Sequence, residues 1–145
     1  MTSRFLKTIC WVGVAALLGY LGWSVLPAYL QKKPNPRSAE FLGSVAAEIN
    51  RSVPTMIDKE TELLPAGSAT GMLIYNYRLV SYSVKQLDPA KFAAGAKQRV
   101  SEGACNRPET RDEFLEKGVT LRYSYFDKDR QHIATIDITP ADCGF

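Results

Sequence analysis

His132 is the only imidazole in this 145-residue chain. A hydrolytic triad needs a base beside its nucleophile. His132 stands at the start of a predicted hairpin strand, and no serine sits in a G-x-S-x-G turn. It reads as an exposed loop residue. Cys105, Cys143, Asp142 and His132 offer metal-ligand types, but no C-x-x-C or H-x-x-x-H spacing organises them. The glycines form neither a P-loop nor a dinucleotide fingerprint. The pattern assigns no catalytic, cofactor-binding or metal residue, and no cofactor is expected.

Carboxylates cluster twice. Glu109, Asp112, Glu113 and Glu116 lie along a short predicted helix, where acids near the N-terminus suit the helix dipole. Asp58, Glu60 and Glu62 alternate along a predicted strand and would point the same way. Three like charges on one face repel. That face is expected to be wet and suited to a basic partner rather than to acid–base catalysis.

The aromatic residues give a different signal. Tyr75, Tyr77, Tyr82, Tyr123 and Tyr125 fall on two predicted strands, where cross-strand aromatic pairing is the ordinary use. Arg78 and Arg122 lie among them. Tyr and Arg are enriched at interface hot spots. A sheet face exposing Arg78, Tyr82 and Arg122 is the expected partner surface, with Asp58, Glu60 and Glu62 beside it.

These residues need a scaffold. Ser38 is a predicted N-cap, and Phe41, Leu42, Val45, Ala46 and Ile49 recur at helical spacing. Thr55–Leu64 reads as an edge strand, Pro65–Ala66–Gly67–Ser68 as a turn and Met72–Val84 as a central strand. Asp88–Pro89 opens a helix that ends near Cys105. Pro108 opens a shorter one, which Gly118 stops. Val119–Phe126 and Ala134–Thr139 form the last two strands around the polar loop Asp127–Gln131. The expected fold class is α+β. Two hairpins make a four-stranded antiparallel sheet, with about three helices on one face.

Upstream, Thr8–Leu30 carries no charged side chain over about 23 residues. As a helix, Ile9–Leu26 alone would rise about 27 Å, close to the hydrocarbon thickness of a bilayer. Trp11 at one end and Trp23 and Tyr29 at the other suit its interfaces. The run is too long for a signal h-region, and no small-residue cleavage pattern follows it. It reads as a retained single-span anchor. Ala15, Gly19 and Gly22 share one face and would allow a homodimer through close helix packing. The expected organisation is residues 1–8 cytoplasmic, 9–30 transmembrane, 31–37 a stiff linker and 38–145 a periplasmic domain.

Basic residues flank the run on both sides, so charge leaves the orientation open. Outside Arg4 and Lys7, the chain carries 16 of its 18 basic and all 15 of its acidic residues. That near-neutral domain leaves no footprint for nucleic acid. Cysteine chemistry breaks the tie. An even pair, Cys105 and Cys143, in a small domain after a membrane segment points to a disulfide and an oxidising compartment. Cys10 lies inside the apolar run.

The strings EINRSVPTMIDKETEL, GVTLRYSYFDKD and ITPADCGF, within Glu48–Phe145, resemble small Gram-negative envelope proteins, membrane-anchored or exported. The resemblance implies an envelope location and a compact α/β domain, and it transfers no functional residue. The expected role is therefore an inner-membrane protein whose periplasmic domain is an interaction or accessory module for envelope proteins. An immunity or inhibitor protein against an envelope-acting toxin is the alternative, and an envelope enzyme a further one.

Overall fold

The computed structural model describes residues 33–145. The expected anchor, with Ala15, Gly19 and Gly22, lies outside the described residues. Among the described residues no helix is long and apolar enough to cross a membrane. Pro34–Phe145 forms one compact unit.

Helix α1 (Ala39–Ile49) starts where the sequence predicts. The Ser38 hydroxyl accepts from the Phe41 amide at 3.2 Å, and Glu40 occupies the first turn. Its buried stripe is Leu42 and Ala46. Three strands follow the helix: β1 (Thr55–Met56), β2 (Thr61–Ala69) and β3 (Met72–Leu79). Helix α2 (Pro89–Asn106) is capped by Asp88, whose carboxylate accepts from the Ala90 and Lys91 amides. Helix α3 (Pro108–Thr110) runs into a π-helical turn (Arg111–Leu115), and β4 (Thr120–Phe126) and β5 (His132–Ile138) complete the sheet.

The sheet has five strands in the order β1-β2-β3-β4-β5. This corrects the expected four-stranded antiparallel arrangement. β3 and β4 are parallel, with Leu73 beside Leu121 and Tyr77 beside Tyr125, whereas the other neighbours are antiparallel. The cause is the connection: α2 and α3 carry the chain back across the sheet, so β4 begins at the end where β3 began.

The expected turn at Pro65–Ser68 is instead part of β2. Proline cannot donate to a ladder, and here the register slips between Leu64 and Gly67 as a bulge. Side chains satisfy the freed backbone. Asn50 donates to the Ala66 carbonyl and accepts from the Ala66 amide at 2.7 Å, and Asn76 donates to the Pro65 carbonyl. The turn proper is Thr70–Gly71, with Gly71 at φ 73°. Thr55–Leu64 is likewise not one strand, because residues 57–60 form the bend between β1 and β2.

Both long helices cover the same sheet face. Gly43 of α1 lies against Ser68 of β2, and Phe92 of α2 meets the Tyr125 ring edge-on at 5.1 Å. The core under them includes Leu42, Leu73, Leu115, Val119, Leu121 and Ile138, all fully buried. Leu73, Tyr75, Tyr77 and Leu79 alternate with Met72, Ile74, Asn76 and Arg78, which face the other way. The expected linker ends as part of the fold. The Arg37 carbonyl accepts from the Gly71 amide at 2.8 Å, and its side chain lies against Gly71 and Gly118.

Candidate functional site

The structure keeps Arg78 and Arg122 on one sheet face, as the sequence suggested, while Tyr82 falls beyond the end of β3. Arg78 lies between Tyr77 and Leu79, and Arg122 between Leu121 and Tyr123, so neither arginine shares a face with its aromatic neighbours. Both sit on the sheet face away from the helices. Arg122 makes a two-pronged pair with Asp137, its cross-strand neighbour, at 2.7 and 2.8 Å. The carboxylate raises the Arg122 pKa, and the guanidinium holds Asp137 below the ordinary carboxylate range. Arg78 Nη2 lies 2.7 Å from Glu62 Oε2 on the neighbouring strand. That contact is ionic in distance but poorly aligned, leaving Glu62 Oε2 and Arg78 Nε buried without a hydrogen bond among the described residues.

The three acids of the expected strand face part company. The Asp58 carboxylate folds back to accept from the Glu60 and Thr61 amides, which lower its pKa. Glu60 accepts from the Tyr82 hydroxyl at 2.9 Å and raises the phenol's pKa. Glu62 turns to Arg78. The bend at 57–60 breaks the alternation that would have aligned them.

The tyrosines form the opposite arrangement. Tyr75, Tyr77, Tyr123 and Tyr125 lie on the helix-covered face of β3 and β4. Tyr75 stacks on Tyr123 at 5.4 Å, Tyr77 on Tyr123 at 6.2 Å and Tyr77 on Tyr125 at 5.3 Å. Parallel register brings these rings side by side, since Tyr75 pairs with Tyr123 and Tyr77 with Tyr125. Burial drives all four phenols to higher pKa values.

The helices close over only part of this patch: Tyr123 and Tyr125 are buried, whereas Tyr75 and Tyr77 are half-buried. α1 packs on β2 and α2 leans toward β5. Two adjoining hollows open along α2, sharing Arg99 and Val100. One, about 270 Å³, is lined by Tyr75, Tyr77, Tyr123, Gly103, Arg107 and Thr110 among others. The other, about 740 Å³, runs between the 57–60 bend, Tyr82 and the Phe92–Ala96 face of α2. Ile57 on its rim is 53% exposed, and Met56 beside it 49%. Ile57 forms an apolar lip on a groove with an aromatic floor. Sequence reasoning missed this groove. The tyrosine positions carried part of the signal, whereas the gap between two helices is a tertiary feature.

The other candidates are bound up locally. Cys105 and Cys143 form a disulfide with their Cα atoms 5.4 Å apart, as expected. It pins the C-terminal turn (Pro140–Cys143) to the end of α2. His132 pairs with the Thr135 hydroxyl at 2.8 Å. No group of three His, Cys, Asp or Glu side chains capable of holding a metal occurs among the described residues.

No family model matches the chain, and no curated protein matches it. Solved structures do. A Pseudomonas aeruginosa protein described as secreted has a TM-score of 0.63 at 19% identity, over 72% of this chain and 91% of its own. The pilotin EpsS of the Vibrio vulnificus type 2 secretion system has a TM-score of 0.60 at 13% identity, over 74% and 92%. The type II secretion system pilotin AspS of Vibrio cholerae has a TM-score of 0.57 at 15% identity, over 72% and 91%. At these identities the likeness shows a shared fold: a small α+β domain with helices on one face of its sheet.

Proposed function

We propose that this chain is an accessory protein of the bacterial envelope whose α+β domain holds a protein partner in the tyrosine-floored groove beside α2. The observation that carries the reading is the groove itself: an aromatic floor, exposed Ile57 on the rim and, among the described residues, no helix across it. The fold likeness to two secretion-system pilotins supports a component of an envelope secretion machine as the partner. The disulfide supports an oxidising compartment. In this reading residues 9–30 anchor the domain to the inner membrane, and the domain faces the periplasm.

The groove favours a helical occupant. Its floor strands β3 and β4 are each paired on both sides, so they offer no backbone partners to an added strand. An entering segment must satisfy its own N–H and C=O groups, which an amphipathic helix does. Tyrosine floors suit this use, because they contribute large contact areas at low entropic cost.

The test is photocrosslinking in intact cells. A photoreactive residue at Tyr77 is expected to capture a defined envelope protein, and one at Arg122 on the opposite face is not. Equal capture from both positions, or capture of this chain alone, would sink the reading.

A further inference from the structure

We infer that the helix docked in this groove carries two carboxylates about two turns apart, one for Arg99 and one for Arg107. The inference rests on the groove reading and specifies its occupant. Arg99 and Arg107 both lie over the tyrosine floor. They are eight residues apart, Arg99 on α2 and Arg107 as its C-terminal cap, or about 12 Å along the helix axis. Carboxylates at positions i and i+7 or i+8 of a docked helix match that span.

Neither arginine forms an ion pair among the described residues, although the Arg99 charge reaches Asp58 across the larger hollow. Among the described residues Arg51, Arg78, Arg111 and Arg122 each pair with a carboxylate, whereas no ion pair reaches Arg37, Arg99, Arg107 or Arg130; of these four, Arg99 and Arg107 line the groove. Residues 1–32 contain no aspartate or glutamate. Among the described residues Arg99 makes one polar contact, a long 3.4 Å bond from Nε to the Gly95 carbonyl of its own helix, which does not engage its terminal nitrogens.

The acids nearest the groove are already engaged: Asp58 with the bend's amides and Glu60 with Tyr82. Arg107 also acts against burial at Tyr77 and Tyr123, and Arg99 at Tyr125, so both cations project their field onto the floor. A stacked aromatic floor excludes water, and charge pairing beside it is worth more than on open surface. Guanidinium is the cation suited to two-pronged carboxylate recognition next to aromatic rings.

The probe is a fluorescent 18-residue amphipathic helical peptide with a leucine stripe and two glutamates seven residues apart. Its sister carries glutamine at both places. Anisotropy with the full chain in non-ionic detergent is expected to show about tenfold tighter binding of the glutamate peptide, the sum of two ion pairs of about 0.7 kcal/mol each at exposed arginines. The R99Q/R107Q double variant is expected to lose that preference while binding the glutamine peptide as the parent does. Equal binding of the two peptides to the parent, or a preference that survives in the variant, overturns the inference. Absence of binding by either peptide overturns it too; continued capture from Tyr77 in cells then shows that the groove reading stands without it. Arginine-dependent binding of a short-chain phosphatidylglycerol without peptide preference would assign the pair to a lipid headgroup and also overturn it.

Discussion

Replacing Cys105 and Cys143 together by serine should lower stability without altering the native fold. The bond joins residues 38 apart in sequence, so the closed loop takes in α3, β4 and β5. On the chain-entropy relation, closing a loop of that length restricts the unfolded chain by about 4 kcal/mol at 25 °C. For a unit near 110 residues, each kcal/mol moves the melting midpoint by about 4–8 °C, which gives a fall of about 15–30 °C. The native tail has other attachments. Asp142 accepts from the Thr139 amide and hydroxyl at 2.8 and 2.7 Å, and Lys97 Nζ lies 3.3 Å from its other oxygen. The effect should therefore come from the unfolded state: near-ultraviolet dichroism unchanged and a steeper urea dependence, because the freed chain exposes more surface. The assay is thermal and urea unfolding of parent and variant side by side, with Cys10 intact in both. A midpoint shift under about 5 °C would refute the loop-closure reasoning. So would a changed native spectrum, which would locate the effect in the folded protein.

Two further outcomes follow from the core and the charges. Leu121→Ala should cost about 3 kcal/mol, since Leu121 is fully buried at the centre of the helix-covered face; a urea-derived loss under about 1 kcal/mol would contradict that packing. Acid should destabilise the fold in a defined window. Folded-state pKa values are depressed at Asp127 by the Val84, Gln131 and Asp129 amides, at Asp137 by Arg122 and at Asp142 by Thr139. A depressed carboxylate contributes stability above its unfolded pKa of about 3.9 and loses it as pH falls through the folded value. The melting midpoint should hold from about pH 7 to 5 and drop below about pH 4, and a midpoint that is flat to about pH 2.5 would contradict it.

Much of the scaffold is local physics that a sequence displays. Ser38 and Asp88 cap their helices because a side-chain oxygen can reach the first free amides. Gly118 takes φ 80° at the end of the helical segment it stops. The alternation Leu73-Tyr75-Tyr77-Leu79 against Met72-Ile74-Asn76-Arg78 follows from a period of two. That period alone keeps the tyrosines of β3 and Arg78 on opposite faces. The pairing of Cys105 with Cys143 was accessible by count and context.

The tertiary structure decided what no local pattern carries. The strand order and the parallel β3–β4 pair depend on where the helical crossover lands. Pro65 lies inside a strand only because Asn50 and Asn76, distant in sequence, satisfy the backbone around it. The acids at Asp58, Glu60 and Glu62 separate because the chain bends at residues 57–60. The groove exists because α1 settles on β2 and α2 leans to β5, leaving Tyr75 and Tyr77 half-buried between them, with Arg99 and Arg107 above. Residue types and spacing determine which side chains face a common layer. Whether that layer is sealed depends on how far apart its helices pack, and that distance is set by contacts between residues far apart in sequence.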